Sequence, residues 1–405
     1  MFISARLKVC LRRVFLLPFH SLSLSSAFAV NYKPPFLANT YFQRRKGIMK
    51  SRKLMVLAAA GAMMMGLAAC GGSKPAETTA APAPAATEAA AAETEAAAPA
   101  ADAKVIKLGT TVNEQDSFQV AAEKFAELVA EGTNGAYAIE IHPNGELGGE
   151  RDMLESMQIG TLDMGIITSG PFVNFCPEMG VLDMPYLFGS KEEAYAVFDG
   201  EVGQSLLAEL ENSGLKGLAY AERGFRNLTN NVRPIETAAD LEGLKIRIME
   251  NEVYTAAFNA LKVNATPMAW ADALTALQQG TVDGEENPIN VINSYKLWES
   301  QKYCTLDGHS YSTAIITMSN DLFNTLDADT QKVFKDAAQA AAEYERQWVA
   351  DQEAGQLQAM KDNGMEVIEN PDLTSFKEAV KPVYDQYPQY AEVVEKINAV
   401  IATVK

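Results

Sequence analysis

The sequence predicts an α/β protein of two lobes built alike, and three observations predict it. Short apolar strand patterns alternate with amphipathic helical ones, the mark of a parallel-rich sheet. About 300 residues carry globular composition, enough for two lobes that each hold a core. A short stretch also recurs. Met157–Asp163 reads MQIGTLD and Leu277–Asp283 reads LQQGTVD, each where a helix gives way to a strand. Helix–Gly–strand junctions favour such residues by themselves, and two lobes of like topology would produce the echo as well.

The N-terminal quarter stands apart. Of 34 Lys and Arg, 11 lie in residues 1–69, which hold no acid, so the remaining 23 face all 52 acidic residues. So acidic a remainder is a poor partner for nucleic acid or an anionic membrane. Residues 1–48 are basic and Ser/Phe-rich and read as an upstream extension from a start codon called too early. Met49 opens MKSRKLMVLAAAGAMMMGLAAC. Residues 49–69 read as a lipoprotein signal peptide, with basic head, apolar middle and small residues at the cleavage point. Leu67-Ala68-Ala69-Cys70 is similar to a bacterial lipobox, which makes Cys70 the expected lipidation site. Anchoring would then come from lipid and not from a span. Residues 70–103 form a low-complexity linker of Ala, Pro, Thr and Glu without bulky apolar residues.

The first lobe begins with a strand at Val105–Thr110. An amphipathic helix follows over Phe118–Glu131, placing Phe118, Ala121, Ala122, Phe125, Leu128 and Val129 on one face. Ile139–Pro143 is a second strand. A glycine-rich turn from Asn144 leads into a helix over Arg151–Ile159, and Met164–Thr168 is a third strand. Leu215–Tyr220 and Ala314–Met318 read as strands running out of this lobe and back. The period from Asp327 to about Lys361 predicts one long helix. The tail from Asn363 adds a strand and helices, mostly to the second lobe.

Asp240–Pro288 is the most informative segment. Lys245–Met249 alternates as a strand that sets Arg247 among apolar residues. A helix is predicted over Glu252–Leu261, a turn at Thr266-Pro267, and a second helix over Trp270–Gln279 capped by Gly280. Val282 leads back toward the core, and Glu286-Asn287-Pro288 reads as a loop.

Enzyme chemistry finds little support. His142 and His309, with Cys176 and Cys304, lack zinc spacing. No G-x-S-x-G, P-loop or dinucleotide fingerprint occurs. Glu285-Glu286 is the kind of acid pair that so acidic a chain contains by chance. No cofactor is expected, and Cys176 and Cys304 read as two separate buried thiols, with a disulfide between them in an oxidising compartment as the alternative. Basic residues are more telling, because five of the 23 crowd into Arg223–Arg247. A guanidinium in an apolar strand needs a partner. Its planar fork suits a carboxylate, and the residues alone leave open whether that carboxylate is resident or belongs to a ligand.

Gly224-Phe225-Arg226-Asn227, Asp240–Arg247, Pro267-Met268-Ala269-Trp270 and Ala276–Pro288 stand in an order and spacing that resembles the solute-binding subunits of TRAP transporters, the dicarboxylate-binding (DctP) family. The resemblance runs from about Lys104 to the C-terminus. It implies a periplasmic-binding-protein-like fold with a hinge and a long interlobe helix. It further implies capture of a small organic acid, a C4-dicarboxylate or a sugar acid such as a uronate, for import by membrane-embedded partner subunits. By resemblance Arg247 is the carboxylate clamp, Arg226 a second ligand arginine, Asn287 the amide beside the carboxylate, and Trp270 the aromatic wall. Glu150, Thr168 and Thr111 match polar contacts from the first lobe. Thr168 stands where sialic-acid binders carry glutamate, which argues against that ligand. The implied lobes are 104–224 with 313–350 and 225–312 with 351–405. The expected product is a monomer on the outer face of the cytoplasmic membrane, binding no nucleic acid and catalysing nothing. A carboxylate-sensing lipoprotein and a secreted enzyme on a similar fold are the other readings.

Overall fold

The computed structural model describes residues 102–404. The upstream extension, the signal segment, Cys70 and nearly all of the linker lie outside the described residues.

The first half is β1 (Lys104–Gly109), α1 (Ser117–Gly132), β2 (Tyr137–His142), α2 (Glu150–Gln158) and β3 (Met164–Thr168). Two 3-10 turns, α3 (Lys191–Phe198) and α4 (Glu201–Glu209) lead to β4 (Leu215–Asn230). The second half repeats the opening pattern with β5 (Lys245–Ile248), α5 (Glu252–Ala260), β6 (Asn264–Pro267), α6 (Trp270–Gln279) and β7 (Gly284–Asn287). After α7 (Ile289–Ser294) come β8 (Tyr303–Ser319), α8 (Asn320–Thr325) and α9 (Ala328–Asp362). The chain closes with β9 (Glu366–Ile368), α10 (Leu373–Val380), α11 (Pro382–Gln386) and α12 (Ala391–Ile401).

One mixed sheet carries the order β2-β1-β3-β8-β4-β7-β5-β6, with β9 beside β8. β1 pairs in parallel with β2 and β3, and β5 pairs in parallel with β6 and β7. The antiparallel pair of β4 and β8 joins the two parallel sets. The halves are therefore topological equivalents on either side of two long shared strands.

The recurring heptapeptide has a physical basis in this symmetry. Gly160 and Gly280 both adopt left-handed φ, +72° and +66°, which ends their helices at low steric cost. Thr161 N–H donates to the Ser156 carbonyl at 2.9 Å and Thr281 N–H to the Ala276 carbonyl at 3.0 Å, closing matching caps. Asp163 Oδ2 accepts from Lys107 N–H, and Asp283 Oδ2 accepts from Lys245 N–H, each at 2.8 Å. Each aspartate thus satisfies a backbone donor on the neighbouring strand.

Three expectations need correction. Thr266-Pro267 is not a turn but the end of β6, paired with Arg247 and Ile248. A proline is tolerated there because β6 is an edge strand in the observed order. Glu286 and Asn287 are not loop but strand, held by β4. The strands expected over Leu215–Tyr220 and Ala314–Met318 extend to 16 and 17 residues. Polar residues in their middles hid that length, because they are buried through pairing and not through apolarity.

α9, 35 residues long, packs on α1, β4 and α7. Arg346 ties it to the strand pair by donating to both Asp199 carboxylate oxygens and to the Tyr220 carbonyl. α12 lies against α3 and α4, so the tail also serves the first half. Cys176 and Cys304 are separate buried free thiols.

Candidate functional site

In sheets of parallel strands the crevice forms outside their carboxyl ends, where the strand order reverses. The predicted residues collect there. Thr111 follows β1, Glu150 opens α2 and Thr168 ends β3. In the second half Arg247 lies near the end of β5, Trp270 opens α6 and Asn287 ends β7. Glu150 is thus the counterpart of Trp270, and Thr168 that of Asn287.

The two sets meet across the crevice. A Cβ on Gly149 would stand 3.7 Å from Ala269 Cβ, so the starts of α2 and α6 are neighbours. Tyr295 donates its hydroxyl to the Thr111 carbonyl at 3.3 Å, and its ring meets Trp270 edge-on at 5.1 Å. Asn113 donates to the Ser294 carbonyl at 3.1 Å. Glu150 Oε1 accepts from Thr168 N–H at 2.8 Å, which joins those two residues into one polar ledge.

Arg247 is 4 % exposed and pairs with no carboxylate among the described residues. Nε and Nη2 both donate to the Met268 carbonyl, at 3.0 and 2.8 Å. The guanidinium lies over Trp270, 5.4 Å from the ring centroid. Burial lowers its pKa below the ordinary arginine value despite the raising pull of the Glu286 and Glu285 charges, and the Arg226 charge adds to the lowering. A buried cation in this state is short of an anion.

Arg226, expected as a second ligand arginine, is paired inside the protein. It is 1 % exposed, and its fork grips Glu286: Nε on Oε2, and Nη2 on Oε1 at 2.9 Å. Nη2 also reaches Asn287 Oδ1 at 3.1 Å. His309 Nε2 lies 3.2 Å from Glu286 Oε2, and its Nδ1 lies 2.9 Å from Asp307 Oδ2. Burial opposes ionisation of Glu286, yet Arg226 and His309 outweigh it and bring its pKa to about 2. Burial likewise disfavours charge on His309, and Asp307 with Glu286 raises it to about 9. Arg226 is therefore neither a surface salt bridge nor a spare cation, because its charge is met inside the protein.

Sequence reading missed this network, because it joins three strands, β4, β7 and β8, with Arg226 and Glu286 60 residues apart and Glu286 and His309 23 apart. It had passed over Glu286 as a chance acid and His309 as a failed metal ligand. A buried Asp183 was missed as well. It accepts from Ser169 Oγ at 2.9 Å and from Asn251 Nδ2 at 2.7 Å, which links the segments after β3 and β5. Burial raises its pKa to about 7.

Asn287 is engaged at both ends of its amide, by Arg226 and by Glu285. A cavity of about 260 Å³ is lined by Tyr195, Glu222, Arg223 and Arg346 among others, and by none of the expected ligand residues. Its Glu222 and Arg346 already hold Tyr195 with Tyr311, and Asp199. Among the described residues no cluster suits a metal ion, and no helix is long and apolar enough to cross a membrane.

Residues 108–390 match the family described as "Bacterial extracellular solute-binding protein, family 7" (DctP). A solute-binding protein of a TRAP system from Polaromonas sp. JS666, solved bound to D-erythronate, is 42% identical with TM-score 0.72, covering 75% of this chain and 99% of its own. The 2,3-diketo-L-gulonate-binding periplasmic protein of Escherichia coli K12 is 36% identical over 74% of this chain and 92% of its own. The C4-dicarboxylate-binding periplasmic protein of Rhodobacter capsulatus is 33% identical over 75% of this chain and 91% of its own. The fold is that of the solved TRAP solute-binding proteins, a two-lobed periplasmic-binding-protein architecture. The chain belongs to family 7 of the bacterial extracellular solute-binding proteins.

Proposed function

We propose that this protein captures a small organic acid between its two lobes and delivers it to the membrane subunits of a TRAP transporter. The observation that carries this reading is Arg247, a buried guanidinium with no resident carboxylate. A ligand carboxylate supplies the missing anion in bidentate geometry. Trp270 packs beside it, and Asn287 holds Arg226 and Glu285 in line behind it. Thr111, Glu150 and Thr168 face the ligand from the other lobe.

The moving parts are residues 104–224 with 313–350 and residues 225–312 with 351–405. A ligand that touches both lobes favours the closed state by its differential affinity. The protein acts as a monomeric binder and not as an enzyme. Cys70, lipid-modified after removal of residues 49–69, tethers it through residues 70–103 to the outer face of the cytoplasmic membrane. Residues 1–48 are absent from the product, and mass spectrometry of the cellular N-terminus tests both statements.

The deciding experiment is a thermal-shift screen of the purified protein against dicarboxylates, uronates, aldonates, keto acids and neutral sugars. A ligand at about 100 times its Kd should add about 2.7 kcal/mol. An acid should give that shift, and Arg247→Ala should abolish it while remaining folded. A shift by neutral compounds alone would overturn the clamp.

A further inference from the structure

The buried charges at the crevice can be counted. Glu286 meets Arg226, and Asp307 meets His309, so that network sums to zero. Asp183 is a further buried acid there, held by Ser169 and Asn251, and Arg247 and Glu285 remain. They are register partners on β5 and β7, yet they form no ion pair. Glu285 turns to Thr229 Oγ1 at 2.9 Å and to Asn287 Nδ2. On the far side stands Glu150, at the start of α2 beside the start of α6, near enough for its charge to act on Arg247.

We propose that this crevice reads one negative charge, accepting a polyhydroxylated acid with a single carboxylate and turning a second carboxylate away at Glu150. The proposal rests on the clamp reading of Arg247 and narrows it. The carboxylate lies on Arg247, and Glu150 accepts hydrogen bonds from hydroxyl groups at the other end of the ligand. A second carboxylate there would offer no donor and would meet a like charge. Arg226 is already paired with Glu286 through Nε and Nη2, so its charge is met before a ligand arrives.

Glu285 completes the count. Burial and the Glu286 charge raise its pKa to about 7, against the lowering pull of Arg247 on β5 and Arg226 on β4. Across the sheet, β8 faces it with the buried Cys304 thiol, whose own pKa Glu285 helps to raise. A ligand carboxylate beside Arg247 offsets part of that pull, so Glu285 holds its proton more firmly in the complex. The Thr229 hydroxyl serves either state, as donor to the carboxylate or acceptor from the acid. Binding then takes up part of a proton.

Matched pairs test this by calorimetry on the purified protein: D-erythronate against meso-tartrate, and D-galactonate against galactarate. Each pair shares its inner hydroxyls and differs at the far carbon, a CH2OH in the monoacid and a carboxylate in the diacid. At least one monoacid should bind, with its diacid at least ~30-fold weaker, and Glu150→Gln should narrow that gap. The glutamine Oε1 still accepts from Thr168 N–H, so the ledge stays intact. A diacid, or malate or succinate, that binds as tightly as the monoacids overturns the one-charge reading and leaves organic-acid capture standing. If no acid of either kind binds, both readings fall. Repeating the wild-type titration near pH 7.5 in buffers of different ionisation enthalpy should reveal proton uptake. Its absence removes Glu285 from the count, whether or not Glu285→Gln folds.

Discussion

The two halves of the sheet share a backbone plan and differ in what they present at its end. β1–β3 and β5–β7 use the same glycine caps and the same aspartate brace. The first half ends in acceptors, Glu150 with Thr168, and carries no arginine at its strand ends. The second ends in donors, Arg247 with Trp270 and Asn287, backed by the neutralised Arg226. The difference teaches that scaffold and specificity are separable here. Helix caps and strand pairing hold the plan, and a few side chains at the strand ends set the polarity of the crevice.

The largest expected effect falls on the internal pair. Glu286→Ala strands Arg226 as a buried unpaired charge and should cost about 3–5 kcal/mol in urea unfolding. Arg247→Ala removes a cation that has no resident partner and should change the stability of the ligand-free protein far less. If the two variants lose equal stability, the contrast between the arginines is wrong.

Arg247→Ala should instead act on binding. Truncating one side of a buried charge pair costs about 2–5 kcal/mol, a ~30-fold or greater loss of affinity by calorimetry. Arg247→Lys keeps the charge without the fork and should recover only part of it.

The crevice groups also set a pH profile. Asp183 and Glu285 have raised pKa values of about 7 in the folded protein, so between the ordinary carboxyl range and pH 7 the folded state binds more protons than the unfolded. Their effect is to reduce stability as pH rises through that window. His309, raised to about 9, contributes stability below its ordinary value and loses it as pH climbs to 9. Glu286, lowered to about 2, contributes above about 4.5 and loses this as pH falls toward 2. The melting temperature of the ligand-free protein should therefore peak near pH 4 and decline toward pH 9. A peak near pH 8 would contradict these protonation states.

The smallest effects should be equal in the two halves. Gly160→Ala and Gly280→Ala each force an alanine into left-handed φ with open space around it, at about 1–2 kcal/mol apiece. Unequal losses in denaturant unfolding would break the equivalence of the caps.

Much of the plan was legible in residue order. The helix over Trp270–Gln279 and the strand over Met164–Thr168 are observed with the predicted bounds, because period and capping are local. The motifs around Arg247 and Asn287 identified the family for the same reason, since their spacing is carried along the chain. Sequence by itself therefore determined the α/β alternation, the repeated cap-and-brace junctions, the excess of acid and the cluster of arginines. It did not determine which arginine is free. Arg226 and Arg247 are both buried guanidinia within one short window. Their difference arises where β4 pairs with β7 and sets Glu286 against Arg226, while Glu285 turns from Arg247 toward Thr229. Only tertiary structure decides that, because the energy of a buried charge depends on its nearest partner, and the register of distant strands chooses the partner.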